Sequence, residues 1–511
     1  MIPWLRSYER AWLRPDVIAG VVIWSVVTPQ AVAYAQIAGL PPAAGLMAAP
    51  VAMAAYALLG TSHQLVVSAT TATSAVSAAT VGPLAGGDVA QFAVLSAALA
   101  LVVGIVLALG GLLRFGAVSD LVSKPVMTGF LFGLGLVIAL AQLPAVLGVA
   151  AGEGNFFPAL ADVLGELGDV HGATLAVGAV SIAVLVVGKR LAPAVPMTLV
   201  VLATAIAVSA LAGLEDHGVA VVGDIPSALP DPALPHVSAD DFVALIAPAL
   251  GVLILSAEAV GVARGLAAKH GYQVDPNRDL VAMGASNVLC GLTSGFVQSG
   301  GASQTAAADG AGARSQLAAL VAAGLLLLTG AFLAPLFADL PQATLAAIVI
   351  VAVAGFFDAA ELRRAARIRR SAAIFSAVAL AGVLALGVLQ GLVVAAGLSL
   401  VYVVERLSRP AVTVLSHDPL VVRCDGPLLY PNTNAVREHV LRLARGEAVV
   451  VLDLEVSTEL DVQSADMLLE LAGSLRRAGS ELRLTRVHPL AYDVLRRAGV
   501  TDQVSVEATA R

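Results

Sequence analysis

The chain has 511 residues, of which 58% are hydrophobic and 13% charged, and its mean hydropathy is +0.89. This composition is typical of a membrane protein and excludes a secreted disulfide scaffold or a nucleic-acid-binding protein. The net charge of −7 decides little, because the placement of Lys and Arg sets the orientation of a membrane protein. Cys290 and Cys424 lie far apart in the chain and indicate neither a disulfide framework nor a metal site.

Residues 1–15 carry arginine interleaved with tryptophan and have no apolar run followed by a cleavage site. They predict an interfacial amphipathic helix and no signal peptide. Fourteen apolar segments follow, several of them short or broken, where a full span needs about 20 residues. The segments are 17–35, 41–59, 65–81, 90–112, 126–148, 172–188, 195–213, 242–263, 279–295, 297–312, 315–337, 342–357, 371–387 and 389–406.

The distribution of Lys and Arg among the loops between these segments indicates how many of the segments span the membrane. If the N-terminus is inside, every Lys and Arg before Pro410 falls on the inner side, and the outer connections hold acidic residues within 153–169 and 215–241. One missed helix would destroy this positive-inside pattern. The pattern predicts fourteen spans in the cell inner (plasma) membrane with both termini cytoplasmic.

Fourteen spans divide into seven plus seven, and because seven is odd the second half enters the membrane in the opposite orientation, as in an inverted repeat. Segments three and ten share one feature. Each begins as a β-like run and continues as a helix of small and hydroxyl residues. A half-length helix that starts near the midplane exposes free N–H groups, which favour an anion. The alternative is that small residues there only permit close helix packing.

Several motifs carry a family resemblance. Residues 28–47, TPQAVAYAQIAGLPPAAGLM, resemble the signature of the sulfate permease (SulP) family of anion transporters. Gly60-Thr-Ser-His-Gln, the stretch from Glu258 to Asn287, and Ser299 to Gly312 resemble that family's third, eighth to ninth and tenth spans. Residues after Pro410 resemble a STAS domain, especially Val449 to Asp453 and Leu460-Asp461.

The resemblance implies a uracil-permease-like 7+7 fold with an N-terminal segment 1–15, a transport domain 16–408 and a cytoplasmic STAS domain 409–511. Spans 1–4 and 8–11 would form the core, and spans 5–7 and 12–14 the gate. The substrate would lie between the half-helices and move with the core as in an elevator. The implied substrate-binding residues are Gln30, Tyr34, Ser68, Ala69, Thr70, Glu258, Gly301, Ala302 and Ser303.

The residues themselves support most of these positions. Gln30 follows Pro29, which lacks an N–H and is expected to break the first span beside a polar side chain. The other interpretation of Gln30 is an interhelical hydrogen bond without substrate. Tyr34 lies one turn further on the same face, where an ordinary packed aromatic remains the alternative.

Glu258 is the ionisable residue that these boundaries place well inside a span. A charge there costs about 2.5–3.5 kcal/mol, so it must pair, face water or be protonated. It is therefore the proton-coupling candidate, with a structural hydrogen bond to half-helix backbone as the alternative. Asp309, near the inner end of segment ten, is expected to be solvated.

Two departures from the family pattern affect the site. Gln304 stands where many relatives carry Arg, so no fixed positive charge is expected beside the substrate. Ala302 replaces a larger aromatic residue and widens the pocket. Anion affinity should then depend on helix dipoles and hydrogen bonds, which favours a monovalent or proton-compensated anion over bare sulfate.

The tail predicts an α/β domain with strands at 419–424, 428–430, 448–454 and 481–486 and helices at 434–444, 463–478 and 489–498. Gln463 occupies the position of the phosphorylated Ser of related domains, so no such switch is expected, and Ser464 is the expected helix cap. The tail contains no nucleophile–base pair, P-loop or metal-spaced ligands. No enzyme activity, cofactor or metal is expected.

The sequence thus predicts a secondary active transporter of small anions such as bicarbonate, dicarboxylates, sulfate or chloride. The partners expected are the anion, H⁺ or Na⁺ as coupling ion, the lipid bilayer, a second copy in a homodimer and a regulator at the STAS domain, with no nucleic acid. The alternatives are an anion channel, a nucleobase-type permease of the same fold and a membrane-tethered regulator.

Overall fold

The computed structural model describes residues 4–115, 124–150, 152, 154–192, 195–223, 230, 232–408 and 412–508. It divides into two compact units, residues 1–399 and 400–511. The first unit is helical, and the second is built around a five-stranded sheet. The predicted membrane and tail regions thus fold with separate hydrophobic cores.

The first half of the helical unit is a run of helices interrupted once by a short strand. Its elements are α1 Leu13–Ile37, α2 Pro42–Leu59, β1 Val67–Ser68, α3 Thr71–Ala85, α4 Val89–Leu112, α5 Lys124–Leu147, α6 Phe156–Gly165, α7 Gly172–Leu191 and α8 Met197–Ala212. The short α6 lies in the connection between the predicted spans five and six.

The second half repeats the same succession. Its elements are α9 Ala239–Ala244, α10 Ile246–His270, α11 Pro276–Gly291, β2 Ser299–Gly300, α12 Ala302–Gly310, α13 Leu317–Leu328, α14 Gln342–Val353, α15 Ala359–Ile368, α16 Arg370–Leu386 and α17 Val388–Leu407. A π turn at Thr329–Leu333 and a 3₁₀ turn at Ala334–Phe337 extend α13.

Each of the fourteen predicted segments coincides with a helix or half-helix. Eight helical stretches in the described part of the chain are long and apolar enough to cross a bilayer, and shorter apolar helices include Met197–Ala212 and Arg370–Leu386. The chain therefore has the predicted fold of a polytopic membrane protein with a 7+7 succession of spans.

The two interrupted spans meet in the middle of the unit. β1 and β2 pair antiparallel, with Val67 opposite Gly300 and Ser68 opposite Ser299. The hydroxyl of Thr305 adds a further bond by accepting from the Val66 N–H at 3.0 Å. At 1.5 Å per residue, the nine residues of α12 cover only about 14 Å. The predicted succession of an extended run and a helix is confirmed in segments three and ten, and α3 and α12 are called the half-helices.

Glycine allows α4 and α11 to pack with their backbones close together. A Cβ on Gly104 would lie 2.5 Å from the Val288 nitrogen, and one on Gly284 would lie 2.7 Å from the Ala108 nitrogen. Helices in a lipid bilayer have no hydrophobic driving force to associate, so the van der Waals contact that this close approach allows stabilises the pair. This pair joins the first half of the unit to the second.

Two predictions about the N-terminal region are wrong. The interfacial segment is not one helix but two 3₁₀ turns, Trp4–Ser7 and Arg10–Trp12, because the buried Trp4 indole donates to the Ala57 carbonyl at 2.6 Å and holds the chain against α2. Pro29 does not break α1, which runs through it. Pro29 lacks the N–H that would donate to the Ser25 carbonyl, and α1 continues past this single missing bond, as spanning helices can when they are packed in protein.

The second unit has strands β3 Val412–His417, β4 Leu420–Cys424, β5 Val449–Asp453, β6 Glu481–Val487 and β7 Ser505–Ala508 in that spatial order. β3 and β4 are antiparallel, and the remaining pairs are parallel. The helices α18 Thr433–Leu443, α19 Val462–Arg477 and α20 Pro489–Arg497 complete the unit.

Three details of the predicted tail differ from the structure. The edge strands β3 and β7 were not predicted, and residues 428–430 form no strand, since Leu428 makes only an isolated bridge to Leu460. The cap of α19 is Asp461, whose carboxylate accepts from the Ser464 N–H at 2.8 Å, and not Ser464. The Ser464 hydroxyl is buried and donates to the Leu428 carbonyl.

Asp453 connects three strands of the sheet. Its fully buried carboxylate accepts from the Arg423 Nε at 2.9 Å, from Arg486 and from the Glu455 N–H at 3.0 Å. Burial alone would raise the pKa of Asp453, but the hydrogen bonds from Arg423, Glu455 and Arg486 outweigh it and lower that pKa. The ionised carboxylate therefore stabilises the folded unit.

We expect Asp453→Asn in the full chain to lower the stability of this unit at pH 7 by about 1.5–3 kcal/mol, the range for hydrogen bonds to charged groups. Because the folded pKa is depressed, the contribution is complete at neutral pH and disappears as pH falls below about 4. Hydrogen exchange of β5 and β6 amides measures it. Glu481→Gln, which removes an exposed ion pair with Arg483, is the control. Equal protection in both variants at pH 7 would contradict the role of Asp453.

Candidate functional site

A cavity of 380 Å³ lies where the two half-helices begin. Its walls come from α1, α3, α5, α10, α12 and the end of α14, so both halves of the helical unit contribute. Six of the nine predicted site residues line it: Tyr34, Thr70, Glu258, Gly301, Ala302 and Ser303. The fold brings them together from four separate parts of the chain.

The other three predicted residues do not line the cavity. Ser68 is buried in the β1–β2 pair, and Ala69 contributes its carbonyl to a contact with Gln304. Gln30 lies on α1 with a buried Oε1 that has no hydrogen-bond partner among the described residues. The interhelical hydrogen bond considered for Gln30 is therefore not formed by this oxygen.

The start of α3 is capped by hydroxyl groups. Thr70 is the N-cap, and its Oγ1 accepts from the Thr73 N–H at 3.3 Å while the Thr73 hydroxyl accepts from the Thr70 N–H at 3.4 Å. This capping box satisfies two of the donors that a helix start leaves free. The N–H groups of Thr71 and Ala72 have no backbone acceptor in the described part of the chain.

The start of α12 has no side-chain cap. Gly301 is its N-cap, and its N–H donates to the Val66 carbonyl at 3.0 Å. The next three N–H groups, of Ala302, Ser303 and Gln304, have no backbone acceptor within the described residues. Ala302 and Ser303 are exposed in the cavity. The N-terminus of α12 therefore presents backbone N–H donors and the positive end of the helix dipole to the cavity.

Gln304 holds the two half-helices together. Its side chain is buried, with Nε2 donating to the Ala69 carbonyl at 3.4 Å and Oε1 accepting from the Ser303 hydroxyl at 3.3 Å. A Cβ on Gly301 would lie 1.6 Å from that Oε1. Glycine at 301 therefore leaves the space that the Gln304 amide occupies, a packing role that the sequence did not indicate.

Glu258 is exposed to the cavity from α10. Its carboxylate makes no hydrogen bond or ion pair with the residues that the structure describes, so the alternative of a bond to half-helix backbone is not observed. A charged carboxylate is costly inside a span, and Glu258 avoids that cost because it faces the cavity and not lipid.

Three further charged residues at one edge of the cavity were missed. Lys124 Nζ lies 2.7 Å from the Glu361 Oε1, and Asp358 accepts from the Glu361 N–H at 2.8 Å. The hydrogen bond from Lys124 lowers the pKa of Glu361. These residues lie at or near helix starts, where charged residues are common and give no sign of a site in the sequence. Only their position around the cavity sets them apart.

Asp309 does not line the cavity. Its carboxylate lies 2.6 Å from both Lys269 Nζ and His270 Nε2, and its side chain is only 12% exposed. The prediction of a solvated residue is wrong, because the Lys269 and His270 side chains at the end of α10 contact this carboxylate of α12 and leave little of it exposed.

Comparison with known proteins identifies the chain. Residues 13–379 match the sulfate permease family, and residues 410–511 match the STAS domain. A probable sulfate transporter of Mycobacterium tuberculosis strain H37Rv is 36% identical over 98% of this chain and 94% of its own length. The chain belongs to the sulfate permease family. It is a multi-pass membrane transporter and not an enzyme, as the sequence predicted.

A more distant relative and two solved structures also match most of the chain. A chloroplastic sulfate transporter of Arabidopsis thaliana, 4.1, is 28% identical over 99% of this chain and 80% of its own length. The murine Solute Carrier 26 family member A9 anion transporter has a TM-score of 0.89 at 22% identity, covering 99% of this chain and 92% of its own. The transmembrane domain of a cyanobacterium bicarbonate transporter, BicA, has a TM-score of 0.67 at 23% identity, covering 76% and 98%. At these identities the two structures show a shared fold.

We expect Gly301→Ala to destabilise this sulfate permease family member by about 1–3 kcal/mol, since the new Cβ overlaps the buried Gln304 amide. Thermal unfolding in detergent measures the loss. Gly310→Ala, on the same helix with open space around its Cβ position, is the matched control.

The mechanism is tested by adding Gln304→Ala to Gly301→Ala. Removing the obstructing amide should make the double variant more stable than the sum of the single losses implies. Strict additivity would show that the cost of a Cβ at Gly301 has another origin.

Proposed function

We propose that the protein is a secondary active transporter that binds a small anion between the starts of α3 and α12. The observation that carries this proposal is the set of free N–H groups at Thr71, Ala72, Ala302, Ser303 and Gln304 beside the cavity. Each helix start is equivalent to about half a positive charge. Two of them supply roughly one unit, which suits an anion.

The site would recognise its anion without an adjacent guanidinium group. Gln304 is buried against Ala69, and Lys124 is engaged with Glu361 at the edge of the cavity. Affinity would then come from backbone N–H groups, the Ser303 and Thr70 hydroxyls and the two dipoles. Gln30, Ser68 and Ala69 would support the half-helices from behind.

The charge balance favours bicarbonate, a proton-compensated carboxylate or proton-compensated sulfate over a bare divalent ion. Roughly one unit of positive charge leaves the second negative charge of sulfate unpaired in low dielectric, which is costly. Sulfate remains within the proposed class because the 36%-identical relative is named a probable sulfate transporter. Chloride and dicarboxylates are the other members of the class.

Glu258 would carry the coupling proton. It lies in the same cavity as the half-helix starts and has no cationic partner among the described residues. An ionised carboxylate would repel the substrate, whereas a protonated one would not. Proton and anion would therefore bind together and be released together, which is symport. Na⁺ binding to the same carboxylate is the competing form of coupling.

Transport would follow an elevator motion of spans 1–4 and 8–11 against spans 5–7 and 12–14, since residues from both groups line the cavity. We place both termini and the STAS domain on the cytoplasmic side of the plasma membrane, because every Lys and Arg before Pro410 then faces the cytoplasm. We also propose a homodimer and a regulatory partner at the STAS domain.

Ser303→Leu should abolish anion uptake by covering the N–H groups of α12 with a bulky apolar side chain. Uptake of [¹⁴C]bicarbonate, [³⁵S]sulfate and [¹⁴C]fumarate into proteoliposomes with imposed pH gradients measures it. Ala306→Leu adds the same bulk at an exposed position of α12 outside the cavity lining and should retain uptake. A folded Ser303→Leu protein with unchanged uptake would place the anion elsewhere.

Gln304→Arg should shift selectivity toward divalent anions, because it adds the unit of positive charge that their second negative charge requires. The ratio of sulfate to bicarbonate uptake should rise about tenfold or more, given the cost of an unpaired buried charge. An unchanged ratio in a folded variant would contradict the dipole-based account of recognition.

Glu258→Gln should fold and transport without dependence on the pH gradient, since the amide cannot exchange a proton. The ratio of uptake with and without an inward proton gradient measures coupling. Asp358→Asn, which removes another carboxylate from the cavity lining while keeping a competent helix cap, should retain coupling. Persistence of full proton coupling in Glu258→Gln would exclude Glu258 as the carrier.

A further inference from the structure

A second depression, of 530 Å³, adjoins the cavity at α15. Its lining consists of Asp358, Ala360, Glu361, Arg364, Arg367 and Ile368. Two of these residues, Asp358 and Glu361, also line the cavity. The two hollows therefore meet at the first turn of α15.

The far side of this depression is cationic. Glu361 is engaged twice, by Lys124 at 2.7 Å and by Arg364 at 3.5 Å. Arg367 has no ion-pair partner among the described residues, and both arginines are exposed. The Arg367 guanidinium thus stands beside the opening without a paired carboxylate in the described part of the chain, whereas Arg364 shares Glu361 with Lys124. Guanidinium groups are also weakly hydrated and bind oxyanions in a bidentate manner.

The lining of the cavity, in contrast to the depression, is acidic and would repel an approaching anion. Its lining carries the carboxylates of Glu258, Asp358 and Glu361 against the single cation Lys124. Charges within a Debye length of about 10 Å at 0.1 M salt act on one another, so an ion reaching this opening is repelled by its acidic edge. Cations placed just outside that edge would raise the local anion concentration and the rate of encounter.

We propose that Arg364 and Arg367 form an anion-collecting vestibule from which the cavity is loaded. The inference rests on the proposed binding of an anion at the half-helix starts and extends it to the route of access. Arg364 reduces the repulsion of Glu361, and Arg367 holds the anion transiently. Their action is electrostatic, so it weakens as ionic strength rises.

The first test measures anion accumulation without requiring transport. Ala360 is exposed in the depression, and Cys290 and Cys424 are buried, so Ala360→Cys allows selective labelling with a fluorophore. In about 20 mM salt, Arg364→Gln/Arg367→Gln should lower the iodide quenching constant about two- to fivefold, in keeping with electrostatic focusing. Quenching by neutral acrylamide should not change.

The second test measures loading. In the same double variant without the label, the KM for uptake of bicarbonate, sulfate or fumarate should rise about two- to fivefold at low salt, with kcat unchanged. The difference should fall below about twofold at 0.3 M ionic strength, where screening is strong. Arg369→Gln/Arg370→Gln removes the same charge from exposed positions that do not line the depression, and should change KM and iodide quenching less than the vestibule pair does.

Three results would overturn the vestibule. These are equal iodide quenching with and without the two arginines, an equal effect of the control pair, or loss of the iodide effect in phosphatidylglycerol vesicles, which would assign the arginines to lipid headgroups. Failure of the proposed function looks different. In that case the wild-type protein takes up none of the three anions, while iodide quenching still reports whether the arginines collect anions.

Discussion

A helix that begins inside a bilayer leaves its first N–H groups without water or intrahelical partners, and the rest of this structure is arranged around that constraint. Both α3 and α12 begin in the interior of the helical unit. The β1–β2 pair satisfies the extended backbone just before each start, and the Thr70–Thr73 capping box satisfies part of α3. The remaining donors face the cavity, where an anion is the ligand that suits them.

Holding two such helix starts close together requires contacts between distant parts of the chain. The Val66 N–H reaches the Thr305 hydroxyl, the Gly301 N–H reaches the Val66 carbonyl, and the Gln304 amide reaches Ala69. Glycine at 301 makes room for that amide. The cavity lining and the packing of the two half-helices therefore share residues, namely Gly301 and Gln304.

Acidic and basic side chains are interspersed around the cavity. Glu258 and the two half-helix starts line it together with Asp358 and the Lys124–Glu361 pair. Asp358 and Glu361 also line the adjoining depression, to which Arg364 and Arg367 contribute.

The sequence by itself determined the number of spans, the opposed halves, the two interrupted segments and the α/β tail. Hydropathy, positive charge and turn residues act over short stretches of chain, so they can be read locally. The family resemblance implied a set of site residues, of which the structure places six around one cavity: Tyr34, Thr70, Glu258, Gly301, Ala302 and Ser303. Reading of the tail was less complete. It did not predict the edge strands β3 and β7, which are short or have an exposed face and so lack a strong apolar signal.

Only the tertiary structure decided which polar groups face the cavity. Pairing of β1 with β2 buries Ser68, Gln304 turns toward a carbonyl 235 residues away, and Lys124 meets Glu361 across a similar separation. Pro29 stays inside a continuous helix whose residues on both sides of it are buried against the rest of the unit. Side-chain direction depends on partners that are remote in the sequence, and no local pattern contains that information.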